Sequence, residues 1–119
     1  MKLLIVDDSL IMRRAIERTL NSERFEEIRL VNNGRLAVEE FKSFRPDVVT
    51  MDITMPDMDG LTAVELILKI DESAIILVVS ALADKPTAVE AVKRGASGFL
   101  LKPITVAGLQ AAIDDILAD

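Results

Sequence analysis

The chain has 119 residues, half of them apolar, with 14 basic and 20 acidic side chains and neither histidine nor cysteine. That suits one domain with one core, and a net charge of −6 argues against a grip on phosphate backbones. Disulfide scaffolds, cysteine nucleophiles, serine–histidine chemistry and the usual zinc sites are excluded, which leaves carboxylates, hydroxyls and lysine to do any chemistry.

Leu3-Leu4-Ile5-Val6 is apolar without alternation, as in a strand buried on both faces. Together with Met1 and Lys2 it is too short for a signal peptide, and no apolar run approaches the ~20 residues of a membrane span. A cytoplasmic location and no membrane contact are the expectation. Leu10, Ile11, Ala15, Ile16 and Leu20 then recur at helical spacing. Ile28 to Val31 includes Arg29 and reads as an edge strand. Asn33-Gly34 marks a turn before a helix through Ala37, Val38 and Phe41, which Pro46 stops.

Val48 to Met51 is a third strand, and Leu61, Val64, Ile67 and Leu68 mark a third helix. Ile75 to Val79 is uncharged and largely β-branched, the strongest strand signal of the chain. A fourth helix is predicted to open near Asp84 and Pro86, both suited to a first turn, and to close at Lys93-Arg94-Gly95. Phe99 to Leu101 is the fifth strand; Val106, Leu109, Ile113, Ile116 and Leu117 define the last helix. Five βα units without insertion predict an α/β, doubly wound parallel sheet with right-handed crossovers.

In such sheets ligands sit beyond the carboxyl ends of the strands. Asp7 and Asp8 follow the first strand, Asn32 the second, Asp52 the third, Ser80 the fourth and Lys102 the fifth. Singly, each has an ordinary reading: an aspartate there often caps the next helix, and a serine or lysine serves a turn or the solvent. Jointly, three carboxylates on one rim are a liability, since two unit charges ~4 Å apart repel by about 4 kcal/mol at an effective dielectric of ~20. A bound cation removes it, and oxygen-only ligands favour Mg²⁺ over zinc. Lys102 and the Ser80 hydroxyl can then face phosphoryl oxygens while one carboxylate acts as nucleophile toward phosphorus.

These residues, in this order, resemble the receiver domain of two-component response regulators, from Lys2 to the last helix. Chemotaxis-type single-domain receivers are the most similar, by Asp7-Asp8-Ser9-Leu10-Ile11-Met12-Arg13-Arg14 and by Met51 to Gly60. The resemblance implies a flavodoxin-like fold with strand order 2-1-3-4-5. It implies Asp52 as phosphoacceptor, with Pro56 and Gly60 shaping the loop. Asp8, Asp52 and the backbone carbonyl of Thr54 would bind Mg²⁺ directly, Asp7 through water, and Mn²⁺ could substitute. Ser80 would be the switch hydroxyl, Phe99 the switch aromatic, and Lys102-Pro103 the family's lysine and the cis-proline that aims it. Phe99 stands where many chemotaxis receivers carry tyrosine, Ser80 where threonine is commoner, and Ile104 where phenylalanine is frequent. Thr54 and Leu82 fall at the variable positions that tune dephosphorylation.

The implied function is to take a phosphoryl group from a CheA-like sensor histidine kinase. The switched face would be the fourth helix, fifth strand and fifth helix, offered to a flagellar motor or other effector. Ala88, Val89, Ala91, Val92, Ile104, Val106, Ile113, Ile116 and Leu117 lie in these segments, as core or as a docking or dimer surface. A monomer is expected, with phosphorylation-dependent dimerisation as the variant, and with no turnover of external substrates. Three alternatives stand beside it. One is a receiver (residues 1–119) cut from a longer transcriptional regulator, and another a pseudo-receiver that only binds partners. The third, an aspartate-dependent phosphohydrolase, would carry a second acid where this chain has Thr54.

Overall fold

The uninterrupted apolar run Leu3–Val6 becomes the centre of the molecule because it has neighbours on every side. In the computed structural model, which describes residues 1–118, β1 (Lys2–Val6) pairs in parallel with β2 (Glu27–Val31) and with β3 (Val48–Asp52). β4 (Ile75–Ser80) and β5 (Gly98–Leu101) extend the sheet on the far side of β3, giving the order β2-β1-β3-β4-β5. This is the flavodoxin-like order that the resemblance implied. β2 is the edge, with Glu27 and Arg29 exposed; β3, all apolar but for Thr50 and Asp52, is buried throughout.

Strand alternation sorts the core into two layers. Leu4, Val6, Val49, Met51, Ile76 and Val78 face α2 (Gly34–Phe44), α3 (Gly60–Ile70) and α4 (Lys85–Lys93). Leu3, Ile5, Val48, Leu77 and Val79 face α1 (Leu10–Leu20) and α5 (Val106–Leu117), with Phe25 filling that layer. Each fully buried Leu, Ile or Phe contributes about 1.5–3 kcal/mol, so both helical layers are held by apolar burial.

The helices start where short polar side chains replace the missing turn. Ser9, Asn33, Asp59 and Thr105 each accept from the backbone N–H three residues on, at 2.8–3.2 Å. α2 ends on Arg45 in the left-handed region, and Gly95, at φ 121°, follows α4 as the Lys-Arg-Gly ending predicted.

The helices start where the spacing placed them, and three details are added by the structure. Leu10 and Ile11 lie in the first turn of α1, beyond the sheet it covers, and are 58% and 82% exposed. Val106, at the matching place in α5, is 60% exposed. Asp84 occupies the N-cap position of α4 after a 3₁₀ turn (Leu82–Asp84), yet its side chain caps nothing. Of the apolar residues on the α4–β5–α5 side, Ala88, Ala91 and Ile113 are buried, and Val89, Val92, Ile104, Ile116 and Leu117 are half-buried. Core packing accounts for most of that set.

Candidate functional site

Parallel register brings the strand ends together. Val6 lies opposite Met51, so Asp7 leaves β1 beside Asp52, the last residue of β3. Ser80 lies opposite Leu101, and the Lys102 N–H donates to the Ser80 carbonyl at 2.7 Å, which carries Lys102 to the same rim. Asp7 is fully buried. Its N–H donates to Val31 O (3.2 Å), and its Oδ1 accepts from Ser9 N–H (2.9 Å). Asp7 Oδ2 is buried without a hydrogen-bond partner, although Lys102 Nζ stands 3.3 Å away as an ion pair. Lys102 Nζ also donates to Asp52 Oδ1 at 3.4 Å.

Asp8 is exposed and completes a triad: Asp7, Asp8 and Asp52 each offer an oxygen, all within 4.8 Å of one another. Burial, and then the charge of Asp7, push the Asp52 carboxyl up to about 6 against the pull of Lys102. On Lys102 burial works against the ammonium, but Asp52 and Asp7 outweigh it and raise its pKa. Two of these acids, Asp7 and Asp52, thus share one lysine beside a third carboxylate, and Asp7 Oδ2 is left without a hydrogen bond. An all-oxygen donor set short of positive charge is compatible with a divalent cation.

The loop after β3 is drawn tight. Gly60 N–H donates to Ile53 O at 2.7 Å, and Asp57 takes up the left-handed region at φ 67°. Gly60 itself has no positive φ. It is buried, and a Cβ there would overlap the Asp52 carbonyl oxygen and lie 2.8 Å from Ile53 Cα, so no side chain fits without a shift of backbone. Pro56 is exposed in that loop. The Lys102–Pro103 peptide bond is cis, with Pro103 exposed beyond it.

Sequence-predicted residues differ in how closely they converge. Asp7, Asp8, Asp52 and Lys102 form one cluster. Ser80 is fully buried at the end of β4, but its hydroxyl turns to the neighbouring Ala81 carbonyl over 3.4 Å. Phe99 is half-buried on β5 and packs against the layer that includes Ala88 and Ala91. Thr54 is exposed, and its hydroxyl donates to Asp84 Oδ2 at 2.9 Å. Asn32 is exposed and accepts from Asn33 Nδ2.

Two participants were not assigned a place from sequence. Arg13, on α1, donates from Nη1 to the Asp7 carbonyl at 2.8 Å and so braces the acid pair from behind. Its position one turn into the helix that follows Asp7-Asp8 was the available signal. The Thr54–Asp84 bond joins residues thirty apart, and no local pattern announces it.

Comparison with known proteins gives the same picture. The chemotaxis protein CheY of Thermotoga maritima is 40% identical over 115 residues, covering 97% of this chain and 96% of that protein. CheY of Bacillus subtilis is 41% identical over 116 residues, covering 98% and 97%. Among solved structures, the CheX–CheY–BeF3–Mg²⁺ complex of Borrelia burgdorferi contains a chain that superposes with a TM-score of 0.93 at 32% identity, covering 99% of this chain and 90% of that one. These relatives are receivers rather than turnover enzymes. Residues 3–114 match the response regulator receiver domain, and the chain belongs to that family.

Proposed function

We propose that this receiver takes a phosphoryl group on Asp52 from the phosphohistidine of a CheA-like sensor kinase, in chemotaxis signalling in the cytoplasm. The observation that carries this reading is the charge imbalance at the strand ends, three carboxylates against Lys102 with Asp7 Oδ2 undonated. The acidic cluster is compatible with Mg²⁺, or Mn²⁺ in its place, which Asp8, Asp52 and the Thr54 carbonyl would bind directly and Asp7 through water. When bound, the cation neutralises charge on the phosphoryl oxygens.

Asp52 does the bond making. With its pKa near 6 it is largely ionised at pH 7, so a carboxylate oxygen can attack phosphorus. The new P–O bond forms as the P–N bond to the donor imidazole breaks, and the imidazole leaves with the bonding electrons. Lys102, held charged by its acidic neighbours, pairs with the added negative charge. The Ser80 hydroxyl, with only its long bond to Ala81 O to give up, turns to a phosphoryl oxygen. Phe99 then rotates into the space it vacates, which alters the α4–β5–α5 face for a flagellar motor or other protein effector.

Carrying that switch from 1:99 to 99:1 needs about 5.5 kcal/mol of bias. One charge-assisted hydrogen bond supplies roughly 1.5–3 kcal/mol, so partner binding completes the shift. The chain acts as a monomer, without turnover of external substrates and without contact to nucleic acid or membrane. No helix of the described residues is long and apolar enough to cross one.

Intact mass after incubation with acetyl phosphate tests this. The expected result is a single phosphoryl adduct that requires Mg²⁺ and is lost in Asp52→Asn. Absence of an adduct, together with absence of Mg²⁺-dependent beryllofluoride binding by the folded protein, would replace this reading with a partner-binding module that is not phosphorylated.

A further inference from the structure

Four of the five helices are capped by the side chain at their N-cap, and α4 is the exception. Aspartate is among the favoured capping residues, and a cap is worth about 1 kcal/mol, so an aspartate that forgoes one is held elsewhere. The local cause is visible. Ser9, Asn33, Asp59 and Thr105 have extended backbones, whereas Asp84, at the end of a 3₁₀ turn, sits at φ −98°, ψ 10°. Pro86 in the first turn of α4 also removes one N–H that a cap could have bound. The carboxylate is therefore free to reach across the rim and accept from Thr54 Oγ1 at 2.9 Å.

Thr54 lies two residues beyond Asp52, and Asp84 four residues beyond Ser80. The bond thus closes a bridge between the loop that follows β3 and the connection that follows β4. The opposite end of α4 is tied differently: Arg94 pairs with Glu90 of its own helix at 2.9 Å and with Glu65 of α3. One end of the helix is fastened to a neighbouring helix, the other to the acid site.

We propose that Asp84 is a positioning residue of the acid site. By holding the Thr54 hydroxyl it fixes the loop that presents the Thr54 carbonyl to the cation, and it couples that loop to the first turn of α4. The carbonyl's role rests on the function proposed above; the coupling does not. Since Thr54 is exposed and Asp84 half-buried, the bond is a reversible tether rather than a clamp.

The test uses the full chain and two readouts: Mg²⁺ affinity by titration calorimetry with MgCl2, and amide hydrogen exchange of residues 82–87 in the metal-free protein. Thr54→Val and Asp84→Ala should each raise the Mg²⁺ dissociation constant about 3- to 10-fold and speed exchange by a similar factor, the size of one modest hydrogen bond. The double variant should be no worse than either single one. Asp84→Asn, which keeps an acceptor oxygen without the charge, should recover most of the affinity, and Thr54→Ser should recover the slow exchange.

If instead Asp84→Asn is as weak as Asp84→Ala while Thr54→Val binds normally, Asp84 acts by charge alone and the positioning role is overturned. Unchanged exchange in Thr54→Val overturns the coupling. A wild-type protein that binds no Mg²⁺ overturns the functional reading, and the exchange measurement still decides the tether.

Discussion

The two rims of the sheet handle charge in opposite ways. At the amino ends, the charged groups find hydrogen-bond partners, most of them exposed. Lys2 N–H donates to Asp47 Oδ2 (2.7 Å), Lys2 Nζ reaches the Phe44 carbonyl (3.3 Å), and the terminal ammonium pairs with Glu26. That hydrogen bond holds the Glu26 carboxyl below its ordinary value. At the carboxyl ends, two buried carboxylates share a single ammonium with an exposed third acid beside them, and Asp52 is pushed the other way. The first rim is self-sufficient. The second is left short of positive charge, which is how a protein marks where a ligand completes it.

Three experiments sharpen that contrast. Gly60→Ala should cost most, about 2–4 kcal/mol, because the new methyl meets backbone of β3 and Ile53 with no flexible neighbour to yield. Chemical denaturation would measure it, and a loss below about 1 kcal/mol would mean that the loop is slack. Next comes pH. The folded-state value of Asp52, about 6, lies above its unfolded value of ~3.9, so the native chain binds more protons between these limits. The contribution of Asp52 to the stability of the metal-free protein should therefore be fullest below pH ~4 and be lost as pH rises to about 6. Asp52→Asn should remove most of that slope; an unchanged slope would assign it to other groups. The smallest effect is at the opposite rim. Asp47→Ala breaks an exposed bond and should cost no more than about 1 kcal/mol by chemical denaturation.

Much of this architecture was legible in the sequence, for identifiable reasons. Strands buried on both faces leave uninterrupted runs such as Ile75–Val79, and the acids at their ends are fixed by chain position once the strands are parallel. The order of the strands came from the resemblance to receivers rather than from the pattern. Periodicity located the helices but not how exposed their ends are: Leu10, Ile11 and Val106 stand in first turns and face solvent. The fourth helix opens at Asp84 as read, but whether that side chain caps it depends on backbone angles as well as residue type. For Arg13, its place one turn after Asp7-Asp8 signalled nearness to the acids, but the Asp7 carbonyl as its partner depends on tertiary packing.

The central position of β1 has a consequence for how the chain is made. β1 is hydrogen-bonded on both sides, but its second neighbour, β3, begins 42 residues after β1 ends. At ~5–20 residues per second of synthesis, Leu3–Val6 waits about 2–8 s on the ribosome for that neighbour, with an open apolar edge meanwhile. The strand that delivers Asp7 is thus the one a nascent chain has to shield longest. Substitutions in it will be felt in the yield of folded protein as well as in signalling, and the two are separable by comparing soluble expression with phosphoryl uptake per folded molecule.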